Sequence, residues 1–381
     1  VRRVLSIGLA AVLIIGVGFA IWFGSRGGGP GEQPGGNTNL TAVKGVIGSE
    51  KSAFFKDQRV RDVFAKHGLS VEIDTAGSRQ IATSVDLEKY DFAFPSSAPA
   101  AEKIQRERKT TQSFAPFYSP MVIASFQPIV DLLAKQGVAV KAADGTWTFD
   151  MAKYLELAAK GTRWNQLPGN TTYPVRKNIL IRTTDPRNSN SAAMYLAIAS
   201  NVVNDNAIVQ SAAEEQKVLS QVSQLFLAQG YTAKTSEQPF DDYLSLGMGN
   251  TPLLFIYEAQ FVDRVVRNDG TITPDMVLMY PSPTVLSKHT VVPLNDNGAK
   301  VGELLVNDPE LQSLAATFGF RTTKPAQFAD VVKQHKVAVR TSVVDVIDPP
   351  SYDTLERLLT SIEKKYAASG AAAVGKDEGP L

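Results

Sequence analysis

The chain has 381 residues, with 39 Lys or Arg against 38 Asp or Glu, a formal charge of +1. Near-neutrality removes the strongly basic footprint of a nucleic-acid binder, and 44% hydrophobic residues with 20% charged ones argue against general disorder. With no Cys, and only His67, His289 and His335, the sequence excludes disulfides, thiolate metal sites, Cys nucleophiles and a lipidated Cys, and it offers no His-rich metal centre.

The first element is apolar. Val4 to Gly24 run without a charge, after Arg2 and Arg3 and with Trp22 and Phe23 at the far end. About 20 such residues span the hydrocarbon core, and the flanking arginines hold the N-terminus in the cytoplasm. Residues 1–24 are therefore expected to be a single-pass signal-anchor that leaves the folded part extracytoplasmic. A cleaved signal peptide is the competing reading, although its apolar region is normally shorter. Residues 25–41 follow as a tether: positions 24–39 hold seven Gly and two Pro, too little apolar surface to offset chain entropy. The tail, 369–381, reads the same way.

Between them strand and helix patterns alternate. Leu40–Ile47 reads as a strand, Ser52–Lys66 as a helix closed by Gly68, and Leu69–Asp74 as a second strand. A short helix around Arg79–Leu87, a strand at Tyr90–Phe94 and a polar helix at Ala98–Arg108 come next. Ser113–Phe126 is extended and apolar. The mixed pattern resumes with a helix at Trp147–Ala159, a strand at Asn178–Arg182, and helices at Ser191–Asn201 and Ala212–Gln229. Pro252–Tyr257 is a strand, Asp275–Pro283 a second extended connector, Lys300–Phe320 a helix, and Asp353–Ala367 a final helix with an apolar stripe. Two connectors bracketing an inserted α/β region predict an α/β clamshell: residues 42–125 begin lobe 1, 126–270 form lobe 2, and 271–368 return to lobe 1 and add the C-terminal helix. Ligands in such sheets sit at the carboxyl ends of the strands.

Four strand-to-helix loops stand at those ends. They carry Ser49, Lys51 and Ser52; Gly77, Ser78 and Arg79; Ser96 and Ser97; and Asp185, Arg187, Ser189, Asn190 and Ser191. Hydroxyls and unpaired N–H groups at helix starts suit an anion, and an Arg adds charge-assisted bonds. Each loop alone is also an ordinary cap or turn. Asp185, Glu50 and Glu258 in the same regions leave an amine or cation open as ligand. Gly45 to Ser52 is a near miss to a P-loop, with Glu50 where that motif needs its second Gly. A hydrolase built on a cleft Ser needs a base near the hydroxyl, and the sequence names none.

The segments GSEKSAFF, TAGSRQIA, PSSAP after YDFAF, TTDPRNSNS and LLFIYEAQF resemble the type II periplasmic solute-binding protein superfamily, in particular its phosphate, sulfate and molybdate branch. The resemblance covers about residues 42–325. It implies two lobes joined by two crossover strands, a small solute trapped between them, no catalysis and no cofactor. It places ligand contacts at Ser49 to Ser52, Gly77 to Arg79, Ser96 and Ser97, and Asp185 to Ser191, with Tyr257 and Glu258 near the return strand. It also implies delivery to an ABC-type permease; a membrane sensor or scaffold is the other role expected. Members tethered to Gram-positive membranes often use a lipidated Cys, so here the apolar N-terminal segment would have to substitute.

Overall fold

The computed structural model describes residues 40–230 and 233–368. The expected anchor, nearly all of the tether and the C-terminal tail lie outside the described residues. Among those residues no helix is long and apolar enough to cross a membrane.

The chain opens β1 (Thr41–Ile47), α1 (Ser52–Lys56), α2 (Gln58–Lys66), β2 (Leu69–Thr75), α3 (Ser78–Thr83), β3 (Phe92–Phe94) and α4 (Ala98–Arg108). β1 lies between β2 and β3, parallel to both. The single helix expected over Ser52–Lys66 breaks at Asp57, whose extended backbone and carboxylate cap the second segment through Arg59 N–H.

β4 (Phe114–Phe126) is the first crossover. Its early residues pair antiparallel with β9 (Leu286–Pro293), and from Met121 onward it pairs with β7 (Leu253–Tyr257) and β8 (Met276–Ser282). The second lobe adds α5 (Gln127–Lys135), β5 (Ala139–Lys141), β6 (Trp147–Asp150), α6 (Met151–Ala159), α7 (Asn190–Val203), α8 (Ala212–Leu227), α9 (Glu237–Leu246) and α10 (Glu258–Arg267). The helix expected from Trp147 starts only at Met151. Trp147–Asp150 instead pair parallel with β8, and the Asp150 carboxylate caps the helix through Lys153 N–H. The strand expected at Asn178–Arg182 makes only isolated bridges at its two ends, to Arg163 and Leu254.

The chain crosses back at Ser282–Pro283, a cis peptide. The boundary expected at residue 270 thus falls within the second lobe, because β8 completes that lobe's sheet between β4 and β6. α11 (Asp296–Asn307), α12 (Pro309–Thr317) and β10 (Arg321–Thr322) finish the first lobe. The one helix expected over Lys300–Phe320 is split by Asp308, which caps α12 through the N–H groups of Glu310 and Leu311.

α13 (Pro325–Gln334) and α14 (Tyr352–Ala368) end the described chain. Both are assigned by sequence to the first lobe. α13 lies against α12 and β10 of that lobe, whereas α14 packs mainly on the second. Phe328, Val332, Leu355, Leu358, Leu359, Ile362 and Tyr366 all join its core, and only Tyr352 joins a first-lobe cluster. An amphipathic stripe takes the larger apolar surface within reach, and the second lobe offers it. The first lobe's own core gathers Phe54, Phe55, Phe64, Phe92, Phe94 and Phe117 against α11 and α12.

Candidate functional site

The carboxyl ends of β1, β2 and β3 face the loop before α7, with the end of β7 between them. Ser49, Ser78 and Ser96 approach from the first lobe. Ser189, Asn190, Thr235, Ser236 and Tyr257 approach from the second. With Gly48, Glu50, Ala76 and Gly77 they enclose a space of about 10 Å³, room for roughly one water molecule. The walls already touch across it. Ser49 Oγ lies 3.5 Å from Ser236 Oγ, and Asn190 Nδ2 donates to the Ser96 carbonyl at 3.3 Å, the Tyr257 hydroxyl at 3.1 Å and Ser287 Oγ at 3.1 Å.

A charged cluster lies under this floor. Lys51 is fully buried and its ammonium donates to Glu50 Oε1 at 2.5 Å, Ser96 Oγ at 2.9 Å and His289 Nδ1 at 3.1 Å. Ser96 Oγ also donates to Glu50 Oε1 at 2.5 Å, so this one oxygen collects several donors. Oε2 takes no donor among the described residues, and Glu50 lines the cavity. Burial alone would raise the Glu50 carboxyl; the adjacent Lys51 ammonium outweighs it and holds the group below the usual carboxylate range. Burial pushes the Lys51 ammonium below its ordinary value, against the pull of Glu50. It likewise pushes the His289 imidazole down to about 4, with the neighbouring ammonium adding to the effect. His289 is boxed by the rings of Phe94, Phe117, Tyr257 and Phe320, and its Nε2 has no hydrogen-bond partner among the described residues. The cluster is therefore a buried, hydrogen-bonded Glu50–Lys51 pair beside the His289 imidazole.

Of the residues expected from sequence, Ser49, Gly77, Ser78, Ser96, Ser189, Asn190 and Tyr257 meet at the cavity. Lys51 lies beneath it, and Ser52, Ser97 and Ser191 are buried at the starts of α1, α4 and α7. Asp185 and the two arginines are engaged elsewhere. Asp185 is buried and accepts from Arg187 Nε at 2.9 Å and Arg187 Nη2 at 2.5 Å. Arg79 points to α14, where it donates to Glu356 and Glu363. Glu258 is structural: it takes Arg321 Nε at 2.7 Å and Nη2 at 2.9 Å, together with the Tyr280 hydroxyl, and both charged partners are buried.

His289, Thr235 and Ser236 were not expected. Lys51 and His289 stand 238 positions apart, so no local pattern joins them. Ser236 directly precedes α9 at Glu237, and a Ser before a helix was the one signal available.

No protein-family model and no curated protein matches the sequence. Solved structures do match. The sulfate-binding protein SubI from Mycobacterium tuberculosis is 16% identical with a TM-score of 0.51, over 83% of this chain and 96% of that one. A periplasmic thiamin binding protein is 10% identical with a TM-score of 0.56, over 88% and 99%. A ferric binding protein from Campylobacter jejuni is 10% identical with a TM-score of 0.51, over 86% and 99%. This is the type II solute-binding-protein fold. The two crossovers at β4 and β8–β9 belong to it, and the chain spans nearly the whole length of each of these binding proteins.

Proposed function

We propose that the protein is a non-catalytic, extracytoplasmic solute-binding protein, tethered through its N-terminal apolar segment, that closes its lobes on a small oxyanion and delivers it to an ABC-type permease. The observation that carries this reading is the ring of hydroxyls, from both lobes, around one cavity. Ser49, Ser78, Ser96, Ser189, Ser236 and Tyr257 are drawn from six separate segments and converge on one point. Such groups bind oxygen-rich anions by hydrogen bonds rather than by countercharge.

The charge balance narrows the ligand. Arg79 and Arg187 are paired with carboxylates, while Glu50 presents an oxygen at the cavity wall. A fully deprotonated anion would meet that charge; one that keeps a proton can donate to it. Hydrogen phosphate or a phosphonate therefore fits better than sulfate. The same carboxylate favours, as a second reading, a small amine. Titration calorimetry on refolded protein tests both. Phosphate binding that exceeds sulfate binding, with the preference reduced in Glu50→Gln, supports the first. Binding of amines alone replaces it with the second, and no binding of either overturns the cavity as a solute site.

A further inference from the structure

α14 touches the two lobes by different means. On the second lobe it is anchored by apolar packing of Leu358, Leu359 and Ile362. The Tyr366 hydroxyl adds a bond to the Phe226 carbonyl at 2.7 Å, and Arg357 an ion pair with Glu215 at 2.6 Å. On the first lobe Tyr352 joins a small apolar cluster, Leu355 and Leu359 face Pro99 and Ala100 across a narrow gap, and the polar ties centre on ion pairs. Glu356 and Glu363 share the Arg79 guanidinium, and Asp353 takes Arg106 through two bonds of 2.8 and 2.9 Å.

Arg79 is the junction. Its Nη1 also donates to the Arg187 carbonyl of the second lobe at 2.8 Å, and the N–H groups of Arg79 and Gln80 reach the Asn188 carbonyl at 3.1 and 3.3 Å. One side chain thus ties the C-terminal helix, the first lobe and a second-lobe loop together, with only 12% of it exposed.

We propose that α14 is a strap that holds the lobes closed before any solute is bound, so that solute exchange waits on release of its ionic ends at Arg79 and Arg106. The apolar side stays in place, because leaving the second lobe would expose its core. The ionic side is reversible, because water and salt replace its partners at modest cost. Of the two pairs Arg79 is the stronger, being shielded and shared, while Arg106 and Asp353 are each more than half exposed. The size of the cavity agrees: closure around about 10 Å³ is made by the protein's own contacts. The strap does not depend on which solute the site takes.

The chain lacks Cys, so Thr111→Cys in the first lobe and Lys160→Cys in the second, both exposed, place one spin label on each. Pulsed dipolar distances are read on refolded, solute-free full chain. The strap predicts a single short distance for the labelled parent. In Glu356→Gln/Glu363→Gln a longer distance appears, its population raised about tenfold from the roughly 0.1–10% typical of a minor state. Amide exchange at Arg79 and Gln80 quickens by a similar factor while β1 and β7 keep their protection. If the double variant loses strand protection, Glu356→Gln alone carries the same expectation. A parent already open without solute, or a variant whose distances superimpose on the parent's, overturns the proposal.

Discussion

The carbonyl oxygen of Asn188 in the second lobe lies against the backbone of Gly77 in the first, so close that a Cβ on Gly77 would overlap it. Gly77 has φ −67° and ψ 146°, an extended conformation open to any residue. Glycine is therefore required there by the approach of the other lobe and not by its own backbone.

Gly77→Ala should act as a wedge. Overpacking costs about 1–3 kcal/mol, which lowers the closed-to-open ratio roughly 5- to 150-fold. Affinity for solute should fall by a similar factor while each lobe stays folded. Small-angle scattering checks the first effect as a larger radius of gyration, and far-ultraviolet circular dichroism checks the second. Unchanged scattering and affinity would show that the lobes need not meet at this point.

Glu258 and Arg321 form a buried pair near the crossover, and Arg321 also donates to the Arg340 and Thr341 carbonyls. Removing one partner strands a buried charge. Arg321→Leu should therefore cost about 3–5 kcal/mol of stability, read as a lower urea midpoint with an unchanged slope. A loss below about 1 kcal/mol would mean that the carboxylate is hydrated.

Acid should weaken the protein in two stages. The imidazole of His289 is held near 4 in the folded state, below its ordinary 6.5. The unfolded chain thus binds that proton first, and stability present above pH 6.5 is lost as pH falls from 6.5 toward 4, by on the order of 3 kcal/mol. Glu50, also depressed, adds a second loss below its ordinary 4.5. In His289→Gln the first stage should flatten and the second remain. Urea midpoints measured across pH 2–7 decide this, and identical slopes between pH 4 and 6.5 in parent and variant would contradict it.

Much of the scaffold was legible because its signals are local. β1, β2 and α4 follow from an apolar run, a capping Gly and a Pro-led helix start, and the cleft hydroxyls from Ser and Gly placed at strand ends. Arg79 misled because its partners Glu356 and Glu363 lie 277 and 284 positions onward. Asp185, by contrast, is two residues from Arg187 and could have been read as its partner. Trp147–Asp150 read as helix because the pairing with β8 that makes them a strand is non-local. The same blindness to distant partners hid His289.

The most direct test of the account is a thermal-shift screen of refolded protein with phosphate, sulfate, molybdate, phosphonates, amino acids, amines, sugars and divalent cations. A ligand at 100 times its dissociation constant adds about 2.7 kcal/mol, a rise of at least ~2 °C for a chain of this size. The account predicts a selective rise with a protonated oxyanion that Ser78→Ala and Ser189→Ala each diminish. A flat screen on folded, monodisperse protein, or a rise that survives both substitutions, would contradict it.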